Sequence, residues 1–401
     1  MDKGELELQR RDFGKTVASG VVGVGLSSLA VPGAAFAEAS KPRKNTKMHP
    51  GADYHVVAGN GITSKENIQY NLRWGVKHIS PDPDLAGEEG KPAKPLADSS
   101  SGGGGEFIPS AGPMGGAFDL EKLKRMRDAF DKLGMAIEAF RMDSGYIVLK
   151  AGSDRDRKLD QICENIRKTA QVGVGIISQH WTAIPIRRNG KQPGRGDSVY
   201  TTFKLESNWK DLPVTPFGQL SFDEYWERIT IFLQKVMPVC AEYKVKMANH
   251  LYDPPGLPYG YEGVENFDSP SIFDAYKRYA AIVDSPYNCF QLDVGVLAEG
   301  TNDANRQIPP LVQWLADRGK IAQVHMRAIH GGLNNFAEVF PDEGVLDLFP
   351  IVRILRDSGF EGSIMPDHMP ASPGDPGKLQ AYAFGYGYLH ALINAANSEV
   401  V

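Results

Sequence analysis

The chain has only three cysteines in 401 residues, Cys163, Cys240 and Cys289. An odd number cannot all pair, and no Cys-x-x-Cys spacing marks a zinc knuckle or a disulfide framework. Cys240 and Cys289 stand in apolar stretches and read as core thiols. Basic charge is not in excess either: 44 Lys and Arg face 49 Asp and Glu, a net charge of −5. No basic run interleaves with aromatics, which argues against a nucleic-acid partner. Beyond the N-terminal segment no apolar run approaches the roughly 20 residues a membrane-spanning helix needs, so no span is expected.

The N-terminus carries a distinct signature. Arg10 and Arg11 precede Phe13, and the stretch "TVASGVVGVGLSSLAVPGAAFA" follows, ending on Ala35-Phe36-Ala37. Twin arginines, a mildly apolar Gly-rich segment and a small-x-small end resemble a twin-arginine export signal. A buried helix would show an apolar stripe, which this stretch lacks. Residues 1–37 are therefore read as a signal peptide, 38–52 as a linker and 53–397 as a single catalytic domain, periplasmic or secreted. Four basic and four acidic side chains lie in residues 1–37, so cleavage leaves the net charge unchanged.

Short apolar runs then alternate with helical patterns. The runs are "YHVVAG" (54–59), "GVKHIS" (75–80), "AIEAFRM" (136–142), "GVGIISQ" (173–179), "VKMANH" (245–250), "CFQLD" (289–293), "IAQVH" (321–325) and "GSIMP" (362–366). Between them lie amphipathic segments, one opening on Ser221 with Glu224 three residues later, the spacing of a capping box. Eight strands alternating with helices predict an α/β fold, a (β/α)₈ TIM barrel. Residues 81–118 break the rhythm. They are rich in Pro, Gly, Ser and charge, cannot bury enough apolar surface to order themselves, and read as a low-complexity insertion.

In such a barrel, functional side chains belong at the C-terminal ends of strands. Four late strands end there on metal-binding groups: His250, Asp293, His325, and the adjacent Asp367 and His368 of "IMPDH". One alone would ordinarily be a hydrogen-bonded rim residue. Four successive strands ending this way point to a divalent-metal site of mixed N and O donors. Such a set suits Mn²⁺ best, and also Fe²⁺, Co²⁺, Mg²⁺ or Zn²⁺. Asp367 is the better ligand, which leaves His368 free for proton transfer near neutral pH. His180 and Trp181 follow the fourth strand, where stacking on substrate and packing in the core are equally open. The Arg195-Gly196-Asp197 triplet reads as a loop turn. His78 and His330 carry no spacing argument.

Several stretches resemble the mannonate dehydratases. "VKMANHLYDPP" is similar to their "(K)MAxHxDDPP", and "VHMRAI" to their "HFRN" strand end. "PDEGVLDLFPIVRILRDSGFEGSIMPDH" is similar to their "DGxVDMxxVxxxLxxxGFxGxxxPDH". "GSDRDRKLDQICENIRKTAQVGVGIISQHW" follows the layout of their third helix and fourth strand. The likeness spans about residues 119–396 and is most specific at "PDH". It implies a barrel related to xylose isomerase, Mn²⁺, and removal of water from an aldonic acid to give a 2-keto-3-deoxy acid. Carried over by position, it makes His250, His325 and Asp367 metal ligands and His368 catalytic. Arg327 would hold a substrate carboxylate, or else form a rim salt bridge.

The departures are specific. Asp293 stands where the family has a cysteine ligand. Tyr252 replaces one acid of "DDPP", leaving Asp253 as the acid assigned to substrate. The segment after His368 is shorter than the family's, with Tyr382 and then Tyr386 as candidates for its catalytic tyrosine. "LDVG" and "VHMR" half-match strand ends of xylose isomerase-like isomerases and epimerases. Isomerisation or epimerisation on the same metal site is thus the alternative reaction, and a non-catalytic sugar-binding barrel the alternative from another class. The expected partner is a small sugar acid or related carbohydrate, and a homo-oligomer is expected.

Overall fold

The computed structural model describes residues 43–83, 116–142 and 145–400. The expected export signal and most of the 81–118 insertion lie outside them. Ten short parallel strands form one ring: β1 (His49–Pro50), β2 (Ala52–Asp53), β3 (His78–Ser80), β4 (Ala136–Ile137), β5 (Phe140–Met142), β6 (Ile176–His180), β9 (Lys246–His250), β10 (Asn288–Asp293), β11 (Ile321–His325) and β14 (Ser363–Met365). β1 pairs with β14 and β2 with β3, so one interrupted strand bridges the two ladders; β4 and β5 likewise bridge β3 and β6. Counting each interrupted pair once, eight parallel strands close the barrel through β6-β9-β10-β11-β14. The break between β1 and β2 falls at Gly51. A Cβ there would meet the Ser363 Cβ at 2.5 Å, so only glycine lets β14 approach this closely.

The first strand lies upstream of its expected place. "YHVVAG" (54–59) is the loop that follows it. That run is apolar because Tyr54, Val56 and Ala58 pack with Ala381 and Tyr382 of the last helix in a second core. The linker is accordingly shorter than expected: Asn45 donates its side-chain amide to the Phe360 carbonyl, and Met48 is buried.

The helices are α1 (Lys65–Arg73), α2 (Leu120–Asp131), α3 (Ser153–Gln171), α4 (Phe222–Tyr243), α5 (Ile272–Ile282), α6 (Val294–Glu299), α7 (Ala304–Ala316), α8 (Leu348–Asp357) and α9 (Leu379–Ser398). Their starts follow capping rules. Ser221 Oγ accepts the Glu224 N–H at 3.3 Å while Glu224 returns a carboxylate to the Ser221 N–H at 3.1 Å, completing the capping box. Apolar faces of the helices cover the barrel in the main core. There Trp181 packs edge-on to Phe232 at 4.8 Å and donates its indole N–H to the Tyr279 hydroxyl at 3.1 Å.

A second sheet was not anticipated. β7 (Gly190–Pro193) and β8 (Val199–Lys204) form a hairpin after β6, and β12 (Ala328–Gly332) and β13 (Asn335–Val339) another after β11. They join antiparallel in the order β12-β13-β8-β7. The Arg-Gly-Asp triplet is the tip of the first hairpin, where Gly196 takes φ 56°. Arg195 there is half-exposed and binds both oxygens of Asp342, at 2.6 and 2.9 Å. Val199 and Ala371 exchange backbone hydrogen bonds, so this sheet also grips the segment after His368.

Phe232 is fully buried between Trp181 and Tyr146. Phe232→Ala should therefore lose about 3–5 kcal/mol in urea unfolding, the range for an aromatic truncated in a close-packed core.

Candidate active site

The sequence-assigned groups converge at the C-terminal mouth of the barrel. β9 ends on His250, β10 on Asp293, β11 on His325, and Asp367 and His368 follow β14. His250 Nε2 lies 3.4 Å from Asp293 Oδ2, and His325 Nδ1 3.4 Å from Asp367 Oδ1. Two trios of potential ligands share His325: His250, Asp293 and His325, and Asp53, His325 and Asp367, each with atoms within 4.8 Å of one another. Asp53 was missed because the first strand was placed one segment too late, which hid it as a strand end. His55 was missed for the same reason. Its Nδ1 is 2.9 Å from Asp53 Oδ2 and 3.5 Å from Asp367 Oδ1.

The residues behind this front hold it in place. The His250 Nδ1–H donates to the Leu251 carbonyl at 2.6 Å, which turns the Nε2 lone pair toward Asp293. Metal-binding imidazoles are ordinarily oriented in this way. Asp293 divides its carboxylate: Oδ1 accepts the Val296 N–H at 2.9 Å and caps α6, while Oδ2 faces the site. The His368 Nδ1–H donates to Glu338 Oε1 at 2.7 Å, leaving Nε2 toward Asp367 at 3.8 Å. Glu338 comes from β13, and no strand signal was read there. His180 stacks on His250 at 4.0 Å with rings 8° apart. Burial first, then His250, hold His180 well below the usual imidazole range, and its Nε2 has no hydrogen-bond partner.

Arg327 runs through the middle of the site, fully buried. Its guanidinium meets Asp253 at 3.1 Å, Asp293 at 3.2 Å, Glu299 at 2.5 Å, Glu338 at 2.9 Å and Asp367 at 3.1 Å. The expected open fork for a substrate carboxylate is thus already engaged by protein carboxylates. Gly295 makes room for it, since a Cβ there would lie 2.8 Å from Arg327 Cβ. Arg188 shares three of these partners, reaching Asp253, Glu299 and Glu338 at 2.9, 3.2 and 2.9 Å. Asp253, assigned to substrate, is a buried member of this network. Burial opposes its ionisation, but Arg188 and Arg327 hold it down to about 2. Burial pushes Glu299 well above the carboxylate range, so Asp253 and Glu299 together carry less than two charges.

The donor set fits a cation. Six buried carboxylates (Asp53, Asp253, Asp293, Glu299, Glu338, Asp367) face two guanidinium groups. Burial disfavours charge on His325, yet Asp367, Asp53 and Asp293 raise it to about 9. An imidazole so strongly drawn to bind a proton sits where positive charge is in deficit. At the mouth, His250, Asp293 and His325, with Asp367 and Asp53 alongside, form ligand groups able to hold a divalent ion. Two sequence-assigned residues part company with the rest. Trp181 is core, with no face free for substrate. Tyr382 is buried within electrostatic reach of Asp53 and Asp367, which after burial raise its phenol well above the usual range. Tyr386 instead donates to Asn71 and is structural.

The fold and the strand-end site define a xylose isomerase-like TIM barrel. It superposes on a xylose isomerase domain protein from Alicyclobacillus acidocaldarius with a TM-score of 0.52, at 12% identity over 87% of this chain and 99% of that one. Residues 208–399 match the family model for D-mannonate dehydratase (UxuA). A mannonate dehydratase from Thermotoga neapolitana is 28% identical over 298 residues, 64% of this chain and 79% of that protein. The crystal structure of mannonate dehydratase from Streptococcus suis matches with a TM-score of 0.65 at 18% identity, covering 87% of this chain and 95% of that one. The chain is similar to the mannonate dehydratases and shares the fold of the xylose isomerase-like barrels.

Arg188→Leu would leave Asp253, Glu299 and Glu338 short of a buried counter-charge. A loss of about 3–5 kcal/mol in urea unfolding is expected, the range for breaking one side of a buried ion pair.

Proposed function

We propose that the protein is a metal-dependent hydro-lyase that removes water from a sugar acid, giving a 2-keto-3-deoxy acid. The observation that carries this reading is the convergence of His250, Asp293, His325 and Asp367 on a buried, negatively charged mouth beside two carboxylate-oriented imidazoles. Mn²⁺ is the ion we favour, and the same N/O set accepts Fe²⁺, Co²⁺, Mg²⁺ or Zn²⁺. When bound, such an ion polarises the substrate carboxylate and makes the α-hydrogen more acidic.

The chain itself supplies the proton transfers. His55 and His368 face each other edge to face at 5.2 Å, and each rests its Nδ1 on a carboxylate, Asp53 or Glu338. That arrangement fixes both tautomers and leaves both Nε2 atoms for chemistry. Burial opposes charge on His368, but Asp367 and Glu338 raise its pKa, which favours the imidazolium. His368 is thus the acid that delivers a proton to the departing β-hydroxyl, and His55 the base that takes the α-proton. The α-proton leaves first; the C–O bond then breaks as the C=C bond forms, and the resulting enol tautomerises to the 2-keto acid. The protonated Tyr382 phenol and the unpartnered His180 Nε2 supply polar contacts to substrate hydroxyls.

His55→Asn and His368→Asn should each lower kcat by about 10²–10⁴-fold, the usual contribution of a positioned acid or base. With Mn²⁺-loaded enzyme in D₂O, His368→Asn should still exchange the α-hydrogen of D-mannonate, and His55→Asn should not. ¹H NMR of the wild-type reaction should show a new CH₂ at C3. A product of unchanged formula would make the enzyme an isomerase or epimerase, and tight binding without turnover a sugar-binding barrel.

Export to the periplasm is proposed on Arg10-Arg11 and Ala35-Phe36-Ala37. Intact-mass analysis of protein recovered from the periplasm should show a chain beginning at Glu38.

A further inference from the structure

At the opposite end of the barrel, three strands place metal-binding groups together that the proposed reaction does not use. His49 opens β1, His78 opens β3, and Glu138 stands between β4 and β5. Their ligand atoms lie within 4.8 Å of one another. His49 is four residues upstream of Asp53, so this cluster lies roughly 13 Å along the strand from the catalytic mouth.

Two of the three groups are oriented from behind. His49 Nδ1 is 2.6 Å from the Lys47 carbonyl, which can only accept, so that nitrogen carries a hydrogen. Its Nε2 then faces Glu138 Oε2 at 2.9 Å. Without something positive between them, a lone pair opposes a carboxylate. The other Glu138 oxygen accepts the Ser363 N–H at 2.9 Å, which fixes the carboxylate. Both devices are those that set metal ligands in position. Two ligands of one Zn²⁺ about 2.0 Å from the metal lie about 3.3 Å apart in tetrahedral geometry, a spacing that three donor atoms all within 4.8 Å of one another can reach. A proton could satisfy His49 and Glu138 alone, but it gives His78 nothing to bind. The His78 ring lies 3.9 Å from that of His49. A divalent cation uses all three.

We propose that His49, His78 and Glu138 form a second divalent-cation site, of the Zn²⁺ type, which staples the first three strands of the barrel. Mechanical need favours it at this point. β2 to β3 and β3 to β4 pair over only two residues each, and β1 to β14 over two, whereas β6 to β9 pairs over five. The side chains of His49 and Glu138 are 26% and 13% exposed, so an ion has access from solvent and open positions for water.

The test is calorimetric titration of the chelator-dialysed full-length protein with ZnCl₂ alone. Wild type should bind two equivalents, His325→Ala one, His78→Gln one, and the double variant none. Zn²⁺ should raise the thermal midpoint of His325→Ala but not that of the double variant. Because His78→Gln could fold poorly, Zn K-edge absorption of Zn-loaded His325→Ala provides an independent readout, with two imidazoles and one carboxylate expected. One equivalent in wild type that His325→Ala abolishes, two in His78→Gln, or an edge spectrum without imidazole scattering would each overturn the proposal.

Discussion

The catalytic mouth depends on one constraint: six buried carboxyl groups, of which burial drives Glu299 toward its neutral form, share very little positive charge. An isolated buried carboxylate costs several kcal/mol, and pairing recovers that only with good geometry. Arg327 provides the geometry by meeting five of the six at once, and Arg188 adds a second guanidinium to three of them. The partners come from the loop after β9, from β10, α6 and β13, and from the end of β14. A single side chain therefore registers the barrel against the added sheet. The remaining deficit of positive charge is concentrated at His325, between Asp53, Asp293 and Asp367. That is where a divalent ion gains most.

This view changes the role of Arg327. The family resemblance offered a clamp for substrate, with a rim salt bridge as the alternative. Burial and five carboxylate partners make it a structural counter-ion, and it acts on chemistry through the carboxylates it holds. Glu338 illustrates the link, since it binds Arg327 and also orients His368. Polar atoms without a hydrogen-bond partner remain at the mouth among the described residues, His180 Nε2 being one.

The late half of the barrel was legible from sequence because its strands are buried on both faces and end abruptly on polar groups. "NCFQLD" and "IAQVH" are buried at every position, so each reads as a mostly apolar strand closing on Asp or His. The first strand was misplaced because His49-Pro50 and Ala52-Asp53 are too short and too polar to signal a strand. The loop after it is apolar for a different reason, packing against α9. That displacement cost Asp53 and His55. Glu338 and Arg188 were out of reach for another reason. Glu338 lies in, and Arg188 just before, a sheet assembled from two loops, whose pairing is set by tertiary contact and leaves no alternation in either segment.

The two ends of the barrel thus face opposite problems. At the mouth, charge is concentrated for chemistry, and the ring must be held together despite like-charge repulsion. At the floor, the same first strand has ladders only two residues long on each side, and hydrogen bonding alone gives little to hold it. The barrel interior between them is polar as well: Gln323 reaches Ser80 and Ser363, and Gln179 reaches Asn249. The middle layer therefore ties β3 and β14 to β11, and β6 to β9, by directional hydrogen bonds. A strand with Asp53 at one end and His49 at the other is then best secured by cations at both, one serving the reaction and one the ring that positions it.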